Sequence, residues 1–299
     1  MVAIEVSRDA LAAQVQLFRK QILSRQPGVD ESAGKLYDLL VAPLRLRAGE
    51  HVIVVPHGPL HYLPFQALRG PSGYLIEERA VSYAPSASAL GTLLERTPPA
   101  RHVRVLALGN PDTGDPRLAL PGAEREVKHI KARFPEAETY LLKEATKARL
   151  FDAGPRSDLV HIAAHADVDD VDPLYSAIYL ASPDGNPGVL EAHELYALAL
   201  GQGPVVSLSA CDTGLGRVAR GDEVLGFTRS FFAAGARTLL VTLWPVNDVA
   251  TARLMARFYD RLDAGPGQAI REAQLEVLRD AATKHPYFWA PFDLIGDPR

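Results

Sequence analysis

The sequence predicts an α/β fold, a mostly parallel sheet flanked by helices. From residue 103 onward, short runs rich in Val, Ile and Leu alternate with longer stretches whose apolar residues recur at three- and four-residue steps. The short runs are apolar throughout, the pattern of strands covered on both faces. The 299 residues are 47% hydrophobic and 23% charged, ordinary for a globular protein and unlike a disordered or fibrous one.

Two helical patterns open the chain. Leu11, Val15, Phe18 and Ile22 recur within Ser7 to Ser24, and Leu36, Leu39 and Leu40 within Glu31 to Leu44, where Pro43 marks the end. His51 to Val55 predicts a buried strand. Ala80 to Ala84 predicts a second, stopped by Pro85, after which Ser86 caps a helix through Leu94. Thr97 to His102 carries paired prolines and predicts a linker between residues 1–100 and 101–299. Beyond it, strands are expected at Val103 to Gly109, Thr139 to Leu142, Leu159 to Ala164, Ala177 to Ala181, Pro204 to Ser209 and Thr238 to Leu243. Helices are expected at Gly122 to Phe134, Thr146 to Ala153, Glu191 to Ala199, Val224 to Ala234, Asp248 to Leu262 and Gln268 to Ala282, with a long loop after Ala164.

The formal net charge is -4 and basic stretches are short, so direct nucleic-acid binding is not expected. No apolar run is long enough for a membrane span, and the N-terminus does not read as a secretory signal. The lone cysteine excludes an internal disulfide and a multi-cysteine metal site, which makes the cytoplasm the expected compartment. No metal and no dissociable cofactor is expected. His161 and His165 have zincin spacing, but Ile162 stands where the glutamate belongs and the context is a strand. Gly214 and Gly216 open a weak dinucleotide match that lacks its acidic ribose binder. The acidic stretch from Asp167 to Asp172 lacks EF-hand spacing and reads as a solvated loop before it reads as a calcium site.

Reactive groups of parallel sheets collect beyond the carboxyl ends of the strands. Two strands end in such groups: Leu159 to His165, and Val205 to Cys211. Neighbouring strands lie about 4.8 Å apart, so an imidazole and a thiol at adjacent ends can meet. Because a free thiol has a pKa of about 8.5, an imidazole that takes its proton makes it a nucleophile at neutral pH. The amides of Ala166 and Cys211, both expected in turns, are the candidate oxyanion donors. A free cysteine is more often buried and inert, but the polar, glycine-bearing stretch Asp212 to Gly216 places this one at a strand exit. His161 is expected to pack or hydrogen-bond locally.

Val160 to His165, Leu208 to Thr213, Gly221 to Gly226, Leu243 to Val246 and His285 to Trp289, with Val54 to Phe65 before them, together resemble a CHAT domain. CHAT domains are caspase-like modules usually fused to tetratricopeptide repeats, in a clan with caspases, separase, gingipain and clostripain. The resemblance covers nearly the whole chain. It implies a caspase-like sheet, an inactive caspase-like N-terminal half, His165 as catalytic histidine and Cys211 as nucleophile of a cysteine endopeptidase. Ala166 departs from the glycine common after that histidine. The resemblance also implies a protein or peptide substrate, regulation by a repeat region or activator protein, and a gasdermin-type or CRISPR-associated partner in bacterial defence. Asp212, Asp222 and Glu223 are candidates for the substrate pocket, the last two for a cation-selecting one, although Asp222 and Glu223 read first as caps of the following helix. A catalytically silent interaction module is the alternative reading.

Overall fold

The computed structural model describes residues 2–47, 49–95, 103–169, 171–183, 188–201, 203–209, 223–245 and 248–299, the side chains of 223–225 and 248 excepted. The N-terminal helices α1 (Arg8–Leu23) and α2 (Val29–Leu40) pack together. Ser7 caps α1 by accepting from Ala10 N–H, and Val15, Phe18 and Ile22 form its buried stripe. The strand β1 (Val52–Val54) follows, then the hairpin β2 (Arg69–Gly70) and β3 (Gly73–Tyr74), the short α3 (Leu75–Glu78), β4 (Val81–Tyr83) and α4 (Ala87–Leu94). Ser86 caps α4 through its bond from Ala89 N–H.

The second part alternates as expected: β5 (Val105–Pro111), α5 (Pro121–Arg133), β6 (Glu138–Leu142), α6 (Lys147–Ala153) and β7 (Leu159–Ala163). Three short strands follow, β8 (His165–Asp167), β9 (Ala177–Tyr179) and β10 (Val189–Glu191). Then come β11 (Val205–Leu208), α7 (Glu223–Ala234), β12 (Thr238–Thr242), α8 (Asp248–Asp260), α9 (Pro266–Arg279) and β13 (Phe292–Gly296).

Among the described residues the central sheet has eight strands in the order β1-β4-β13-β12-β11-β7-β5-β6. The five strands from β12 to β6 run parallel to one another; β13 pairs antiparallel with β12 and parallel with β4. Strands from both sides of the expected linker thus share one sheet, joined by β13. Taken in chain order, the five parallel strands have the 2-1-3-4-5 arrangement of doubly wound sheets. Its switch point lies between β5 and β7, the place where the connecting loops of such sheets part.

Four expectations change. His51 to Val55 is not buried: β1 is the sheet's edge strand, with Ile53 and Val55 facing solvent. The stretch between Ala164 and Ala177 is no plain loop, because it contains β8, which pairs with β9, the strand expected at Ala177 to Ala181, in a small antiparallel sheet completed by β10. Ala192–Ala197 is a 3-10 helix; Leu195 and Leu198, three apart and buried, suit that period as well as an α-helix. Ala166 lies within β8 opposite Ile178, not in a turn. The linker at 97–102 lies outside the described residues.

Candidate active site

β7 and β11 are hydrogen-bonded neighbours, with Val205 to Leu208 in register with Leu159 to Ile162. The pairing extends one residue further, since Ser209 N–H donates to Ile162 O at 2.9 Å. The two strands expected to deliver the reactive side chains therefore lie side by side and end together. His165 follows β7 by two residues and is half-buried. Cys211 lies two residues beyond Ser209 in the sequence, outside the described residues, as do Asp212 and Asp222; Glu223 opens α7, its side chain likewise outside them.

The His165 ring is held from across the switch point. Its Nε2 lies 3.0 Å from Leu118 O. A carbonyl only accepts, so Nε2 carries the proton and Nδ1 carries the lone pair of the neutral ring. The segment bearing Leu118 is built for that contact. Buried Asn110, at the end of β5, adopts φ +47° and accepts from Leu120 N–H at 2.7 Å. Asn is among the few residues that tolerate this left-handed conformation. Asp115 accepts from Arg117 N–H and pins the 3-10 turn Pro116–Leu118.

Below the strand ends lies a buried polar cluster. His161 is fully buried and its Nδ1 lies 2.8 Å from the Tyr259 hydroxyl on α8. Burial lowers the His161 pKa to about 3. Its Nε2 stands 3.4 Å from Glu126 Oε2, which by distance alone would be an ion pair. We read it as a neutral imidazole beside a carboxyl, since burial keeps the ring uncharged. Glu126 Oε1 accepts from Ser209 Oγ at 3.2 Å. The local role expected for His161 is what the structure shows. Glu126 escaped the sequence reading although a signal existed: 123, 126, 127 and 130 follow helical spacing, so a glutamate sits on the apolar face of α5 beside Ala123, Val127 and Ile130.

The acidic stretch after His165 is engaged locally. Tyr179 O–H donates to Asp167 Oδ2 at 2.6 Å, and that bond, with burial, pushes the tyrosine pKa up to about 12. Asp169 accepts from the N–H groups of Val171 and Asp172, which hold its carboxyl below the usual range. Among the described residues no group of three or more His, Cys, Asp or Glu converges as a metal site. Trp244 and Trp289 are buried in the core, their indole N–H groups bonded to Tyr287 O and Lys284 O at 3.1 Å each.

A family model for the CHAT domain matches residues 30–297. The chain is 28% identical to tetratricopeptide repeat protein 28 of Mus musculus and of Homo sapiens over 87% of its own length, and it spans 13% of the length of each. Its fold is similar to that of separase in the Saccharomyces cerevisiae separase–securin complex, with a TM-score of 0.56 and 13% identity over 83% of this chain and 15% of that one. It is also similar to the Arg-specific cysteine proteinase gingipain R, with a TM-score of 0.53 and 11% identity over 98% of this chain and 69% of that one. The chain belongs to the CHAT domain family.

Proposed function

We propose that this chain is a cysteine endopeptidase that cleaves a protein or peptide substrate with His165 and Cys211. The observation that carries the reading is the paired ending of β7 and β11, with the His165 ring oriented by Leu118 O so that Nδ1 is the basic nitrogen. In this mechanism Nδ1 takes the Cys211 thiol proton, and the thiolate attacks the scissile carbonyl carbon. The carbonyl electrons move to oxygen, where the N–H groups of Ala166 and Cys211 act as donors. The imidazolium then gives its proton to the leaving amine as the C–N bond breaks, which leaves an acyl-enzyme. Water, deprotonated by the same nitrogen, hydrolyses the thioester. Leu118 O disperses the positive charge of the ring in both steps.

The pocket for the first substrate residue is assigned to the segment carrying Asp212, Asp222 and Glu223, on sequence alone. The family also supports an inactive caspase-like role for residues 1–100 and control by a repeat region or activator protein. The names of the mouse and human relatives agree with a repeat region. A gasdermin-type or CRISPR-associated partner and a cytoplasmic location belong to the same proposal. Among the described residues no helix is long and apolar enough to cross a membrane.

The test is cleavage of a diverse peptide library read by mass spectrometry. Wild type should cut at a defined residue class, while Cys211→Ala and His165→Ala should not cut. Cleavage that survives Cys211→Ala sinks the assignment, and a folded wild type that cuts nothing favours a silent module.

A further inference from the structure

Glu126 touches both strands that carry the proposed catalytic pair. It stands in the second turn of α5 at 3% exposure, where its helix neighbours Ala123, Val127 and Ile130 are apolar and buried. A carboxyl in such a place loses its water and is retained only where its polar contacts matter more than packing. Its two oxygens face different strands. Ser209 Oγ, at the end of β11, donates to Oε1 at 3.2 Å. His161 Nε2, on β7, stands 3.4 Å from Oε2. The Tyr259 hydroxyl and His161 Nδ1 are hydrogen-bonded at 2.8 Å, and the approach of Nε2 to Oε2 is a close contact without hydrogen-bond alignment. The chain from α8 through β7 and α5 to β11 is thus Tyr259, His161, Glu126, Ser209, closing two residues short of Cys211 and four short of His165.

We propose that Glu126 is a positioning residue for the His165–Cys211 pair, holding the ends of β7 and β11 at a fixed relative height through His161 and Ser209. The proposal rests on the peptidase reading above and is tested by thiol reactivity, which needs no known substrate. The probe is a peptidyl thiol electrophile, with rates taken at rising concentration on wild type, Glu126→Gln, Glu126→Asp, Ser209→Ala, the Glu126→Gln/Ser209→Ala double variant and His165→Ala. Misplacing reacting groups by about 1 Å costs up to about 100-fold in rate. Glu126→Gln should lower the maximal labelling rate of Cys211 by about 10-fold to 100-fold. The half-saturating concentration should stay within about 2-fold, and thermal unfolding should stay close to wild type. Ser209→Ala should act in the same direction, the double variant should be no slower than Glu126→Gln alone, and Glu126→Asp should recover part of the rate.

A carboxylate acting only through its charge would oppose thiol ionisation, so its removal would speed labelling. Unchanged or faster labelling in Glu126→Gln, while wild-type labelling depends on His165, overturns the positioning role alone. Should Glu126→Gln fail to fold, Ser209→Ala decides, and a wild-type rate in that variant overturns the proposal. Wild-type labelling indifferent to His165→Ala overturns the peptidase reading and the positioning role together.

Discussion

Asp293, on β13, is a buried carboxyl surrounded by hydrogen-bond donors. Gln66 Nε2 donates to its Oδ1 at 2.9 Å, and Tyr83 O–H donates to Gln66 Oε1 at 2.6 Å. Burial raises the Asp293 pKa to about 8, against the lowering effect of Gln66, Tyr83 and Arg19. An aspartate in an unfolded chain titrates near pH ~3.9. Between that value and about 8 the folded chain holds a proton that the unfolded chain releases. The Asp293 contribution to stability is therefore whole below pH ~4 and is lost as pH rises through the folded pKa. Asp293→Asn has no such proton. From pH 5 to pH 8, wild type should lose stability relative to Asp293→Asn in urea unfolding; parallel curves for the two would contradict this assignment. His165 illustrates what single-residue reading reaches. Its place at a strand end was legible, because an apolar run delivers one reactive side chain. The Leu118 carbonyl that orients it was not, because any residue type supplies a backbone acceptor.

Two glycines set how closely elements approach. A Cβ on Gly109 of β5 would lie 2.5 Å from Val127 Cγ2 and 3.0 Å from Ala123 O, so α5 seats on the sheet only over a glycine. A Cβ on Gly226 of α7 would collide with the carbonyl oxygen of Pro173, a backbone atom with little room to move. Overpacking of this kind costs about 1–3 kcal/mol. Gly109→Ala and Gly226→Ala should each lose about that much in denaturant unfolding, and a variant as stable as wild type would refute the close approach. Periodicity predicted the existence and type of α1, α5, α7 and the parallel strands, because each buries a continuous stripe or run. β9 was expected at Ala177 to Ala181, whereas β8 and β10 were missed because three-residue strands are shorter than any periodic signal and depend on pairing with a neighbour. β13 was missed for a related reason: its partner β12 ends fifty residues earlier, with α8 and α9 between them. β1 looked buried since its apolar run says nothing of sheet order, which alone made it an edge.

Across the whole molecule, β13 joins the strands of the first hundred residues to the rest of the sheet, and α1 reinforces the join. The Arg19 guanidinium lies 5.2 Å from the Tyr62 ring centroid and 5.9 Å from that of Trp244, and its Nη2 donates to Leu243 O at 3.1 Å. Cation–π contacts of this kind contribute about 0.5–2 kcal/mol, and a hydrogen bond to a charged donor about 1.5–3 kcal/mol. Arg19→Ala should lower stability by about 2 kcal/mol, measured by urea unfolding, and no loss would contradict the docking of α1. With β13 shared, calorimetry should give one cooperative unfolding transition; two separated transitions would mean that residues 1–100 and 101–299 fold independently.

The reactive pair at the ends of β7 and β11 is the claim on which function rests. Its most direct measurement is the rate at which a peptidyl electrophile labels Cys211 at neutral pH, in wild type and in His165→Ala. Labelling should fall by about 100-fold or more in His165→Ala, in line with the loss of a positioned general base. Equal rates in the two proteins would contradict the claim.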